Sequence, residues 1–257
     1  MQTSQRRLRD YLFIVPEAHV RLNDFQFQVE IYDVFHRRWG SRIGHTVCTP
    51  LVMTGIFALL ALLPVGPIDS FLGGAPIAHG LAVPATLLLL GWFVSIDTLA
   101  GMMMVPFMAL TLVAAHVLDQ VSGVHALRNG LILVYVSSFF QMLSHGFEEF
   151  PPPLSGSYRW VPFRAWLRRV DVPTVLGLVL ASTTVYTALE CWASPRVWLL
   201  QMIKVMMAFG YRPELRQMLR KRVPEILADS RNGWGPEFWA KPASARLSSA
   251  TEFPKSP

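Results

Sequence analysis

Residues 98–118 read TLAGMMMVPFMALTLVAAHVL, twenty-one positions without a lysine, arginine, aspartate or glutamate. A helix needs about 20 mostly apolar residues to cross the hydrocarbon core of a bilayer, and this run has that length. Only Asp97 separates it from a second run, Pro76 to Ile96. Further runs extend over Val47–Val65, Gly130–Leu143 and Pro173–Cys191, and a shorter one, Val197–Phe209, is interrupted by Lys204. The 257-residue chain is 52% apolar and 16% charged, whereas a soluble domain carries about a quarter charged residues. These features predict an all-α polytopic membrane helix bundle, with four core spans plus one or two additional C-terminal membrane helices.

The arginines set the expected topology. Seven precede the first run, Arg159, Arg164, Arg168 and Arg169 fall within 146–172, and nine basic residues follow position 210. The stretch 66–75 has no Lys or Arg, and 119–128 has only Arg128. Cationic loops stay cytoplasmic, so the N-terminus, the 146–172 loop and the C-terminal tail are expected on the cytoplasmic side. The tail returns there if the last two apolar runs form a pair. This placement accounts for the net charge of +6 and leaves no need for nucleic acid as a partner; the partner is the lipid bilayer.

Three regions are expected: a polar N-terminal segment over 1–22, a membrane helical domain over 23–215, and a basic, largely disordered tail over 216–257. No signal peptide is expected, since Tyr11 to Val15 is too short an apolar stretch and lacks a small-residue cleavage site. Asn23 to Arg38 is predicted helical. Pro151, Pro152 and Pro153 end the fourth span, and FRAWLRRV (163–170) has the amphipathic character of a headgroup-level segment. Cys48 and Cys191 sit in apolar segments and make no disulfide framework.

The candidate site lies in polar residues at the edges of the apolar runs. His36 and His45 precede the first span and His145 closes the fourth, so all three are predicted at one membrane face. Ionisable groups at membrane depth are costly and usually mark function. His145, Glu148 and Glu149 share a helix face. A histidine and a carboxylate so placed either bind one metal ion together or pair as ligand and outer partner. His36 and His45 are nine apart, opposite sides of one unbroken helix. They converge only if the chain turns between them, and WGSRIG (39–44) offers two glycines for that turn. His116 faces inward with Asp119 a turn later, a possible His–Asp pair, while His79 and His125 are expected at the opposite face without a role.

HRRWGSRIGHTVCTP (36–50), SSFFQMLSHGFEEFPPP (137–153) and AFGYRPEL (208–215) together resemble three ordered signatures of a family of small membrane proteins, the 2-hydroxy fatty acid dioxygenases of fungal α-oxidation. His36, His45 and Pro50 keep the first spacing; Gln141, His145, Glu149 and Pro153 match the second, with Glu148 an alternative register. The chain departs from the family at Ser41 (for asparagine), Ser144 (for glycine), Lys204 (for an acidic residue) and in an insertion within 154–200. The resemblance implies an endoplasmic-reticulum membrane enzyme that uses Fe(2+) and dioxygen to shorten a 2-hydroxy fatty acid by one carbon. It implies His36, His45 and His145 as iron ligands and Glu149 or Glu148 as ligand or base. Histidines plus a carboxylate with open positions suit non-haem iron. Arg37, Arg38 and Arg42 are candidates for holding the carboxylate of the fatty acyl substrate. A competing expectation is a non-catalytic membrane scaffold or lipid-binding protein whose basic segment RPELRQMLRKR holds anionic headgroups. A small transporter is a weaker third, for no pair of spans shows broken-helix symmetry.

Overall fold

The computed structural model describes residues 24–72, 74–144 and 172–229. All regular structure among them is helical: α1 (Phe25–Phe35), α2 (Trp39–Ala61), α3 (Gly66–Leu72), α4 (Ala82–Ile96), α5 (Thr98–Met103), α6 (Val105–Ser122), a 3-10 turn (Gly123–His125), α7 (Ala126–Ser144), α8 (Val172–Ala208) and α9 (Pro213–Asp229). The polar N-terminal segment, the 145–171 loop and residues 230–257 lie outside the described residues.

Two stretches among the described residues are long and apolar enough to cross a membrane, Trp39–Ala61 and Thr98–Ser144. The second is 47 residues long, more than twice one crossing, and it is folded back on itself. Gly123 takes a positive φ of 50°, a conformation glycine adopts without Cβ strain, and α6 and α7 both pack on α2 and on each other. The α4 run is only 15 residues, about 22 Å at 1.5 Å per residue, because Asp97 leaves the helix and starts the next one.

Burial inverts the soluble pattern. Along α2, Trp39, Ile43, Val47 and Leu51 form an exposed line at four-residue spacing, while Ser41, His45 and Thr49 are buried. On α7, Leu131, Ile132, Phe140 and Leu143 are exposed while Ser137, Ser138 and Gln141 are buried. Water penalises such a surface, whereas lipid tails are as apolar as leucine and leave the polar groups to pair inside. The best-buried side chains, Phe27, Phe57, Phe93, Met53, Met104, Met108, Leu199 and Ile203, bind the helices into one core.

α2 and α7 run antiparallel through a seam of small residues. A Cβ on Gly44 would collide with Ser144; one on Gly55 would stand 2.6 Å from Val134 Cγ2, and one on Gly130 2.9 Å from Leu59. Close backbone approach of this kind gives dispersion contacts along the whole length. Valine at Gly55 is expected to cost roughly 2–3 kcal/mol by overpacking, read as a lowered unfolding midpoint in detergent.

Among the described residues the C-terminal part is built from two helices. The runs at 173–191 and 197–209 do not form a pair: α8 is one 37-residue helix that carries Pro195 inside it. A proline removes one backbone hydrogen bond, which a helix this long withstands. Of the expected tail, 216–229 belongs to α9, which continues to Asp229 and buries Leu215, Leu219 and Val223 against α1. That four-residue spacing makes an apolar stripe on an otherwise polar helix.

One end of the bundle collects distant segments. Arg212 pairs with buried Asp97 at 2.8 Å and lies over the Phe25 ring, Lys204 pairs with Asp33, and Gly44 abuts Ser144. The other end is closed by Asp69, whose carboxylate accepts from Val65 N at 2.8 Å and Gly80 N at 2.7 Å.

Candidate functional site

His36 and His45 meet in the core at the first of these ends. Their ring centroids are 4.3 Å apart with an interplanar angle of 78°, and both side chains are buried. The turn that brings them together is not made by the glycines. α1 ends at Phe35 and α2 starts at Trp39, with Arg38 extended at φ −80°, ψ 149°. Gly40 and Gly44 lie inside α2, where Gly44 permits the contact with Ser144.

The His36 tautomer follows from its surroundings. Nδ1 stands 2.6 Å from the Tyr32 carbonyl oxygen. A carbonyl only accepts, so Nδ1 carries the proton and, in the neutral ring, Nε2 carries the lone pair. A backbone carbonyl fixing the second nitrogen is the arrangement that orients a ligating histidine. The Tyr32 ring also stacks on His36, with centroids 4.1 Å apart and planes 13° from parallel. From the solvent side, Arg42 Nε donates to the His36 carbonyl at 2.7 Å. Arg42 is thus held against the histidine segment, while Arg37 and Arg38 are exposed beside it.

His145, Glu148 and Glu149 lie outside the described residues. Ser144, immediately before them, packs on Gly44, the residue before His45. Gln141 is buried and accepts weakly from Thr49 Oγ1 at 3.5 Å, linking α7 to α2 one turn from His45. Among the described residues no group of three or more His, Cys, Asp or Glu side chains forms a metal centre. The donor set in view is therefore two buried imidazoles, one with its proton position fixed. Neutral imidazole is the commonest transition-metal ligand among side chains.

Lys204, which stands where the resembled family is acidic, is paired with Asp33 on α1. Lys204→Met alone is expected to destabilise the protein by about 1–2 kcal/mol, and the double variant with Asp33→Asn to recover most of it; a double-mutant cycle on the unfolding midpoint checks this. At the far end His116 lies within electrostatic reach of Asp119, as the His–Asp pairing expects. It also has His79 as a ring neighbour, with centroids 6.2 Å apart and planes 24° from parallel, and His79 Nε2 lies 3.0 Å from the Ala75 carbonyl oxygen. His125 is exposed.

Sequence reading passed over Tyr32, Asp33 and Glu30. Tyr32 lies four residues before His36, a spacing that places both on one helix face and was available as a signal. Glu30 is buried and accepts from Gln26 Nε2 at 3.1 Å. Asp33 pairs with a residue 171 positions away, for which no local pattern exists.

No protein-family model, no curated protein and no solved structure matches this chain.

Proposed function

We propose that the protein is a membrane-embedded, iron(II)-dependent dioxygenase that shortens 2-hydroxy fatty acids by one carbon. The observation that carries this reading is the buried, edge-to-face pair of His36 and His45, with the His36 Nδ1 proton committed to the Tyr32 carbonyl. The resemblance of segments 36–50, 137–153 and 208–215 to the 2-hydroxy fatty acid dioxygenases supports it, as does the apolar exterior.

In this reading α2, α4, α6 and α7 are four spans, the C-terminal part of α8 packs beside them, and the histidine end faces the cytoplasm, at the endoplasmic-reticulum membrane in a eukaryote. His36, His45 and His145 hold the ion, and Glu149 or Glu148 completes the set or takes up a proton. Bound ferrous iron supplies the one-electron chemistry that activates dioxygen. The protein's own part is to orient His36 through Tyr32, to exclude water around the rings by burial, and to meet the substrate carboxylate with Arg37, Arg38 or Arg42. The acyl chain lies among the apolar helices.

The test compares purified protein with its His145→Ala variant. Stoichiometric iron in the wild type, lost in the variant, together with oxygen-dependent consumption of a 2-hydroxy fatty acid, supports the enzyme. Equal trace iron in both overturns it and favours a non-catalytic lipid-binding scaffold, a reading to which the exposed cations of α9 give weight.

A further inference from the structure

Charge is distributed unevenly between the two ends of the bundle. At the histidine end Arg37, Arg38 and Arg42 are exposed on the start of α2, and Arg216, Arg220 and Lys221 are exposed on α9. Among the acidic side chains described there, Asp33 pairs with Lys204, Asp97 with Arg212 and Glu225 with Arg222, Asp24 caps α1 and Glu30 is buried, leaving Glu214 exposed. At the opposite end Arg128 is the exposed cation among the described residues.

These cations adjoin apolar surface. Arg38 and Arg42 flank the exposed Trp39–Ile43–Val47–Leu51 line, and Arg216 and Arg220 follow a segment in which Val205 and Phe209 are exposed, Phe209 at 87%. Trp39, at 72% exposed, is of the residue type that settles at headgroup level. An arginine one turn from such a ring, above a lipid-facing line, is placed at the depth of phosphate. α9 turns its apolar stripe onto α1, so its cationic face is the one left outward.

We infer that this end of the molecule binds the headgroups of anionic phospholipids through two clusters, Arg37, Arg38 and Arg42 on α2 and Arg216, Arg220 and Lys221 on α9. The inference rests on the membrane-spanning part of the proposed function and is independent of iron. Each guanidinium or ammonium near an anionic surface contributes attraction that falls off within a Debye length. Selection among lipids is therefore strong at low salt and weak at high salt.

The experiment reconstitutes the full chain in phosphatidylcholine vesicles that contain spin-labelled phosphatidylglycerol or spin-labelled phosphatidylcholine, and measures the motionally restricted lipid by electron spin resonance. The wild type is expected to prefer the anionic label about threefold or more, with the preference falling toward unity at about 1 M salt. The variant Arg216→Gln, Arg220→Gln, Lys221→Gln loses at least half of that preference, while Arg128→Gln retains it. These residues are exposed and outside the core, so the variants keep the helical content of the wild type by circular dichroism. A wild type that inserts yet restricts both labels equally, or an α9 variant as selective as the wild type, overturns the inference and leaves the enzyme reading standing. A chain that fails to insert, extracted by alkaline carbonate, overturns both.

Discussion

His45→Ala is expected to leave the purified protein without iron and to lower turnover of a 2-hydroxy fatty acid by at least about a hundredfold, the upper end of the loss that follows when only an outer partner of a metal ligand is removed. His45 is 1% exposed and faces His36 across 4.3 Å between ring centroids, so no solvent replaces it cheaply. The fold survives the change, because the α2 contacts that carry the core are made by Val52, Met53 and Phe57, two to three turns further along. Two controls separate ligation from packing. His125→Ala, exposed at the far end, retains both iron and activity. Tyr32→Phe keeps the ring that stacks on His36 and the carbonyl that accepts from Nδ1, so iron content stays at the wild-type level. Full iron occupancy in His45→Ala would sink the assignment of this histidine as a ligand.

The helical class was legible because length without charge is a strong and local signal. The number of crossings was less so. Asp97 was visible as the only break between two apolar runs, and the structure starts α5 there, with Asp97 as its N-cap. The runs before and after Pro195 looked separable, yet a single proline did not outweigh the continuity of α8. For the site, the nine-residue spacing showed that His36 and His45 require a turn between them, and that turn exists. Its location was misread, since glycine marks both flexible turns and close helix contacts. Here the contact with Ser144 claimed Gly44, and the three residues 36–38 made the turn. Tertiary pairs such as Asp33 with Lys204 leave no trace in a single sequence, because nothing local demands either partner.

Alanine at Asp97 is expected to cost about 2–4 kcal/mol and to loosen the histidine end as a whole. Asp97 is 2% exposed. Its Oδ1 caps α5 by accepting from Ala100 N at 2.9 Å and accepts from Tyr211 Oη at 2.8 Å, and its Oδ2 lies 2.8 Å from Arg212 Nη2. Loss of a helix cap costs about 1 kcal/mol, and loss of hydrogen bonds to a buried charged group adds about 1.5–3. The penalty for stranding Arg212 is small, since its side chain is 37% exposed and regains water. Asp97→Asn keeps the capping oxygen and forfeits the ion pair, so it falls between wild type and alanine. The consequence is directional. Tyr211 and Arg212 form the turn from α8 into α9, where Arg212 holds a φ of 46°, a strained conformation for a residue with a Cβ that surrounding contacts must maintain. Without Asp97 the strain is released, α9 detaches from α1 first, and limited proteolysis cuts within 209–229 faster than in the wild type while α2 and α7 stay protected. Equal cleavage rates in the two proteins, or an unfolding midpoint unchanged in Asp97→Ala, would show that α9 is held by its apolar stripe alone.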